Sequence, residues 1–329
     1  MTVYLLRRLL GMAGVLLVLS AIVYGLFYLM PGNPALLVCG KRCDAGQVAQ
    51  VSRSLGLNRP IYAQYWTFLE SIFAGHGYNT GVGTAWCSAP CLGYSFQSDE
   101  PVTQLLTQSL PVDASLTIGA AILWLGLGIG FGLFAALRPN GLRDKATTFV
   151  ALTLGSTPVF ILALLLLLAF CVWWQILPFP TYVPITQSPG QWFKNLLLPW
   201  LAIALVSAGG YLRLTRAGVL ESLGQDYIRT LRAYGYGERR VVLRHAVRGA
   251  LPTVATLAAM DIGALLGGAV FTETMFGLPG LGKLLVDSAN NIDLPVVTGI
   301  TLLAATFIIV ANTAADLLYA VLDPRVRMR

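Results

Sequence analysis

The chain has 329 residues, of which 56% are hydrophobic and 11% charged, with a mean hydropathy of +0.70. A soluble domain carries about a quarter of its residues charged, so this composition excludes an ordinary water-surrounded globule and points to lipid as the solvent. The net charge of +7 argues against a nucleic-acid partner, because the basic residues flank apolar runs, where they meet anionic headgroups.

Residues 114–137 carry no charge, nor do those between Lys145 and Lys194 or between Asp293 and Asp316. A spanning helix needs about 20 apolar residues, and six segments qualify: Leu9–Met30, Val112–Leu137, Thr147–Ile176, Leu196–Leu212, Leu251–Thr272 and Pro295–Leu318. Nothing alternates with a period of two, so the spans are expected as helices and not as a closed barrel. The predicted fold class is an all-α membrane protein with six transmembrane helices. Arg7 and Arg8 precede the first span, whose apolar stretch of about 22 residues exceeds a signal-peptide core, and no A-x-A site follows. It is expected to be a retained anchor.

With the N-terminus inside, 16 of the 22 Lys and Arg fall on cytoplasmic segments, eight of them between Arg213 and Arg248. Four of the rest lie in one long outer loop, which is largely exempt from the charge bias. Both termini are therefore expected inside. The organisation that follows is an anchor helix over 1–30, an extracytoplasmic loop over 31–110 and a core of five spans over 111–329. That core includes a basic cytoplasmic loop over 213–250.

Small residues mark close helix approaches at Gly126-xxx-Gly130, Gly128-xxx-Gly132 and Gly263-xxx-Gly267. Pro158 removes a backbone donor inside the third span and is expected to kink it. Cys39, Cys43, Cys87 and Cys91 form two C-x3-C pairs in the outer loop. Outside the cytoplasm two disulfides are the expectation, with three connectivities open and a four-thiolate metal site as the alternative. Cys171, inside the third span, reads as packing.

Asp261 stands near the centre of the fifth span, where an ionised carboxylate costs about 2.5–3.5 kcal/mol facing lipid. It either lines a solute path or bonds to a neighbouring helix. Glu273, at the outer end of that span, anchors the turn into Pro279-Gly280 or sits at the mouth of the path. His76 and His245 lie on opposite sides of the membrane and form no catalytic site.

In the basic loop, residues 225–235 read as a short helix with Tyr227, Leu231 and Tyr234 on one face, Arg229 and Arg232 beside it, and Gly235 as its stop. A helix of about ten residues is marginal alone. It needs either the rest of this chain or a docking partner, or it lies on the membrane with its arginines on headgroups, and composition does not choose.

This loop, Asp226-Tyr227-Ile228-Arg229-Thr230-Leu231-Arg232-Ala233-Tyr234-Gly235 followed by residues 244–252, resembles the cytoplasmic loop of the dipeptide/oligopeptide/nickel permeases of the ATP-binding-cassette importers. Further stretches match in order along the chain: residues 4–10, Met30–Pro34, Leu55–Pro60 with Gln64-Tyr65, Glu273–Gly282, and Asp316–Tyr319 with Leu322–Arg325. The resemblance implies the type I importer permease fold in a bacterial inner membrane. It also implies a second homologous permease, two ATPase domains carrying ATP and Mg on the cytoplasmic side, and an extracytoplasmic solute-binding protein. This chain would bind no cofactor and no metal of its own, and it has no G-x-x-x-x-G-K-[ST] loop. By position, Asp226, Tyr227, Arg229, Thr230, Leu231, Ala233, Tyr234 and Gly235 would form the coupling helix. Arg229-Thr230-Leu231 stand where the motif reads Glu-Ala-Ala, so a salt bridge from that Glu is not carried over. The family tends to an uncharged polar residue near Asp261, which makes the charge a hint about the solute. Residues around Gly75–Pro90 look like an insertion that the cysteines would brace. Peptides are the expected solutes, with nickel or sugars on the same scaffold, or an ion-coupled transporter, as alternatives.

Overall fold

The computed structural model describes residues 2–29, 59–79 and 84–322, with a few isolated positions between 44 and 52. Helices α1 (Thr2–Leu29) and α2 (Ile61–Ala74) precede two small antiparallel ladders. In these, β1 (His76–Asn79) pairs with β2 (Thr84–Cys87), and β3 (Tyr94–Ser95) with β4 (Glu100–Pro101). Helix α3 (Val102–Ala136), α4 (Leu142–Ser156), α5 (Val159–Trp173), α6 (Pro189–Leu223) and α7 (Asp226–Ala233) follow, then α8 (Glu238–Leu266), α9 (Val270–Phe276), α10 (Leu281–Asn290) and α11 (Leu294–Leu322).

Among the described residues, α3, α6, α8 and α11 are each long and apolar enough to cross a membrane, and α1 carries a shorter apolar stretch, Leu10–Gly25. Helices α4 and α5 qualify as one broken element, bent by 98°. The bend has a local cause. Pro158 has no N–H to continue the ladder, and Thr157 before it is forced to an extended backbone, φ −81° and ψ 125°. The expected kink is thus a full break.

Three expected boundaries move. Helix α3 begins at Val102 and not Val112, and α6 runs on through Arg213 and Arg216, which were expected in the loop. The expected span Leu251–Thr272 is instead the end of α8 and the separate α9, divided at Gly268, whose φ is +118°. Hydropathy reports where a helix meets lipid, whereas the backbone ladder continues through polar residues until a turn stops it.

The chain divides into two compact units, 1–111 with 267–270 and 279–309, and 112–266 with 271–278 and 310–329. In the first, the Tyr65 hydroxyl lies 2.7 Å from that of Ser20 and donates to the Leu17 carbonyl at 3.1 Å, joining α2 to α1. Its core packs Val102 and Leu106 of α3 against Leu281 of α10 and Val296 and Ile300 of α11. Beside it, Tyr78, Cys87, Cys91 and Tyr94 make a small aromatic core, with Tyr78 and Tyr94 stacked at 5.6 Å. Burial and the neighbouring Asp99 carboxylate push the Tyr94 phenol up to about 12. The Ser95 hydroxyl donates to the Asp293 carboxylate, tying this segment to the start of α11.

In the second unit, α6 packs along α3, α4 and α8. Of the interleaved glycine pairs on α3, one makes the approach: a Cβ on Gly132 would stand 2.7 Å from the Leu212 carbonyl, and one on Gly128 would overlap the Tyr211 side chain. Gly126 and Gly130 meet nothing within 4 Å. The Trp200 indole completes the seam, donating to the Ser115 carbonyl at 3.0 Å.

Two measurements check this packing. Gly128→Val should lower the thermal stability of the purified protein in detergent by about 1–3 kcal/mol through overpacking, whereas Gly126→Val should leave it nearly unchanged. Burial raises the Asp293 carboxyl above its ordinary value, against the opposing pull of the Ser95 hydroxyl and the Val296 N–H. The folded state therefore holds a proton that the unfolded chain releases. Its stabilising effect is full below the ordinary carboxylate value and is lost as pH rises through the raised one. Asp293→Asn should flatten that loss in melting curves taken across the carboxylate range.

Candidate functional site

The basic loop holds the first candidate. Two residues separate α7 from the end of α6, with extended Gln225 at its N-cap and Asp226 in its first turn. Ile228, fully buried, pins it to the rest of the second unit. The face of Tyr227, Leu231 and Tyr234 stays open: Tyr227 is 47% and Tyr234 78% exposed, and Leu231 is half-buried. The signal for Ile228 was available: it is the single aliphatic side chain in the first turn of a strongly polar helix.

The helix stops as the glycine suggests. Gly235 takes φ +81°, its N–H donates to the Arg232 carbonyl at 2.9 Å, and the Tyr236 N–H reaches back to Leu231 at 3.2 Å. These two bonds make a Schellman turn. Thr230 returns its hydroxyl to the Asp226 carbonyl, and Arg229 makes only a 3.4 Å exposed contact with Asp226. Arg232 grips Glu238 at the head of α8 through two bonds of 3.0 and 2.6 Å, which holds its guanidinium above the ordinary value. Residues 234–237 are therefore a short, bonded link. Beyond it Glu238, Arg239, Arg240 and Arg244 line an open pocket.

A second feature escaped the sequence reading. Asp144, at the head of α4, receives both the Nε and the Nη2 of Arg216 on α6, at 2.6 and 2.7 Å, and the Asn140 N–H at 2.8 Å. The Asp144 side chain is 5% exposed and that of Arg216 28%. Two parallel bonds between planar groups fix orientation as well as distance, so α6 is locked ten residues before α7 begins.

Asp261 is on α8 and exposed, and its Oδ2 accepts the Tyr211 hydroxyl of α6 at 2.6 Å. Tyr211 is 5% exposed. Glu273, on α9, is fully buried, and its carbonyl receives the Leu278 N–H at 2.9 Å. The Pro279-Gly280 turn leads into α10, where Gly280 offers its carbonyl to Leu284. Cys87 and Cys91 are joined in a disulfide, with Cα atoms 5.6 Å apart, whereas Cys39 and Cys43 lie outside the described residues. So do the Asn33-Pro34 motif, Leu55–Asn58 and the tail from Asp323. Cys171 is buried and free. Asp113, a fully buried acid on α3, was overlooked because it borders the charge-free run.

The family model for the binding-protein-dependent transport system inner membrane component matches residues 128–328, and its N-terminal companion matches residues 1–117. A putative peptide transport system permease protein of Brucella abortus is 36% identical over 99% of both chains. A probable peptide ABC transporter permease protein of Sinorhizobium fredii is 32% identical over 99% of this chain and all of its own. A glutathione transport system permease protein of Salmonella typhi is 33% identical over 99% of each. Among solved structures, the inward-facing MetNI methionine ABC transporter shares the fold, with a TM-score of 0.51 at 15% identity, over 67% of this chain and 97% of that one.

Breaking the buried ion pair should be costly. Asp144→Ala is expected to destabilise the protein by about 3 kcal/mol, at the low end for such pairs because Arg216 keeps some water. The reversed pair, Asp144→Arg with Arg216→Asp, should recover part of that loss in detergent unfolding.

Proposed function

The chain belongs to the binding-protein-dependent transport system inner-membrane components, and from that premise we propose that it is one of two permease subunits of an ATP-driven importer of di- or oligopeptides. It is a multi-pass inner-membrane protein whose part is transport and not catalysis. Relatives named for peptides and for glutathione support the solute class, and they favour it over nickel, sugars or an ion-coupled mechanism.

Six crossings follow from α1, α3, the α4–α5 pair, α6, α8 and α11, with both ends inside. Residues 1–30 then form the anchor, 31–110 the outer loop carrying the disulfide, and 111–329 the core. ATP and Mg belong to two ATPase partners on the inner side, a homologous permease completes the path, and a solute-binding protein delivers from outside. The observation carrying this reading is α7: eight residues long, pinned by Ile228, stopped at Gly235, and presenting Tyr227 and Tyr234 outwards. Two exposed tyrosines on a rigid short helix suit a protein groove, since aromatic anchors dominate such interfaces. Arg229 and Thr230 border that face. Glu273, Pro279 and Gly280 shape the outer end, while the exposed face of α8 around Asp261 lines the path.

Co-purification of this chain with ATPase subunits is the expected outcome. Tyr227→Ala with Tyr234→Ala should lower solute-stimulated ATP hydrolysis by about tenfold or more, while Arg229→Ala, on an exposed 3.4 Å contact, should change it little. Gradient-driven uptake by the lone protein in vesicles would refute the assignment.

A further inference from the structure

Helix α8 shows an exposed stripe of Thr253, Leu257, Met260, Asp261 and Ala264, at the spacing of one helix face. Asp261 is the one charged residue between Arg248 and Glu273. A carboxylate within a span is costly against acyl chains and almost always faces protein or a water-filled cavity, so the stripe is read as facing water or another protein. Resting on the path reading above, we infer that Asp261, oriented by Tyr211, is a recognition site for the cationic group of the transported solute, an ammonium such as a peptide's amino terminus.

Three observations lead there. Among the described residues, no Lys, Arg or His pairs with Asp261, and its Oδ1 takes no hydrogen bond. Its charge is left for something outside the described residues to meet. Its single partner, Tyr211, is a neutral donor, which fixes the carboxylate without cancelling its charge. Tyr211 is itself held: buried at 5% exposure, it packs its Cβ over Gly128 and sets its ring 6.2 Å from that of Trp124.

The balance suits passage better than retention. Oδ2 already accepts from Tyr211, so a passing ammonium meets Oδ1 as the oxygen with no bond among the described residues. A site closed by several charge-assisted bonds would hold its solute and stall transport. Met260 beside the carboxylate and Ala264 on the next turn leave the neighbourhood adaptable and uncrowded. Asp261 is thus assigned to solute recognition and Tyr211 to positioning it.

The test uses the assembled importer in proteoliposomes, with Cys171→Ala and Ala264→Cys introduced and labelling at the new thiol followed by peptide mass. The probes are two methanethiosulfonates, one aminoethyl and cationic, the other sulfonatoethyl and anionic. The cationic-to-anionic rate ratio should fall by about tenfold when Asp261→Asn is added, the scale of one partly screened charge a helical turn away. Uptake of a tripeptide with a free amino terminus should fall in Asp261→Asn and return in part with Asp261→Glu, at unchanged complex abundance. Tyr211→Phe should lower the maximal rate more than it alters half-saturation. If neither reagent reaches residue 264, the path reading itself fails. An unchanged rate ratio leaves the path standing and removes the cation site. Loss of assembled complex in Asp261→Asn would overturn it in favour of a fixed basic partner on the second permease.

Discussion

The bidentate grip of Asp144 on Arg216 fixes the last third of α6 against the head of α4. Helix α6 has 35 residues and so is about 52 Å long, against a hydrocarbon layer of about 30 Å. Some 20 Å of helix exceeds that layer, and a helix end held by nothing else is free to swing about its packed part. The ion pair removes that freedom by tying that end to the head of α4, and the close seating of Gly128 and Gly132 fixes the membrane part against α3. Helix α7 therefore hangs from a stiff support.

The same logic connects the far side of α7. Its Schellman stop and the Arg232–Glu238 bonds leave little slack before α8, and α8 carries Asp261. The basic loop and the intramembrane carboxylate, read as two unrelated features in the sequence, thus sit on one continuous mechanical element. The first unit has a different character: a disulfide-braced aromatic core, two short ladders, and a tie from Ser95 to Asp293.

Much of this was legible because it rests on local rules. Uncharged runs mark lipid-facing helix, Pro158 marks the break, and Gly235 marks the end of α7. What was hidden depends on partners far apart in sequence. Asp144 and Arg216 are separated by 72 positions, and each alone resembles an ordinary loop charge. Ile228 is hidden because a lone aliphatic among polar neighbours shows no periodicity, whereas the spacing of Tyr227, Leu231 and Tyr234 marks a face without saying what covers it. Glycine spacing could say that helices meet but not which of two interleaved pairs does so, since that depends on the rotation of α3. For the cysteines, spacing allowed three pairings, and only the turn after β2, which brings Cys91 back to Cys87, selects one bond.

The length of α8 carries a last consequence. Asp261 lies 23 residues beyond Glu238, about 35 Å along the axis. On the reading proposed above, a tilt of about five degrees imposed at the loop end would swing the carboxylate sideways by about 3 Å, enough to make or break a hydrogen bond to an ammonium. The turn over Val241–Ala246 is wound as a π-helix, the looser geometry that often marks functional segments. On that reading, the stiffness of this turn would set how much of a movement at the loop end reaches the carboxylate.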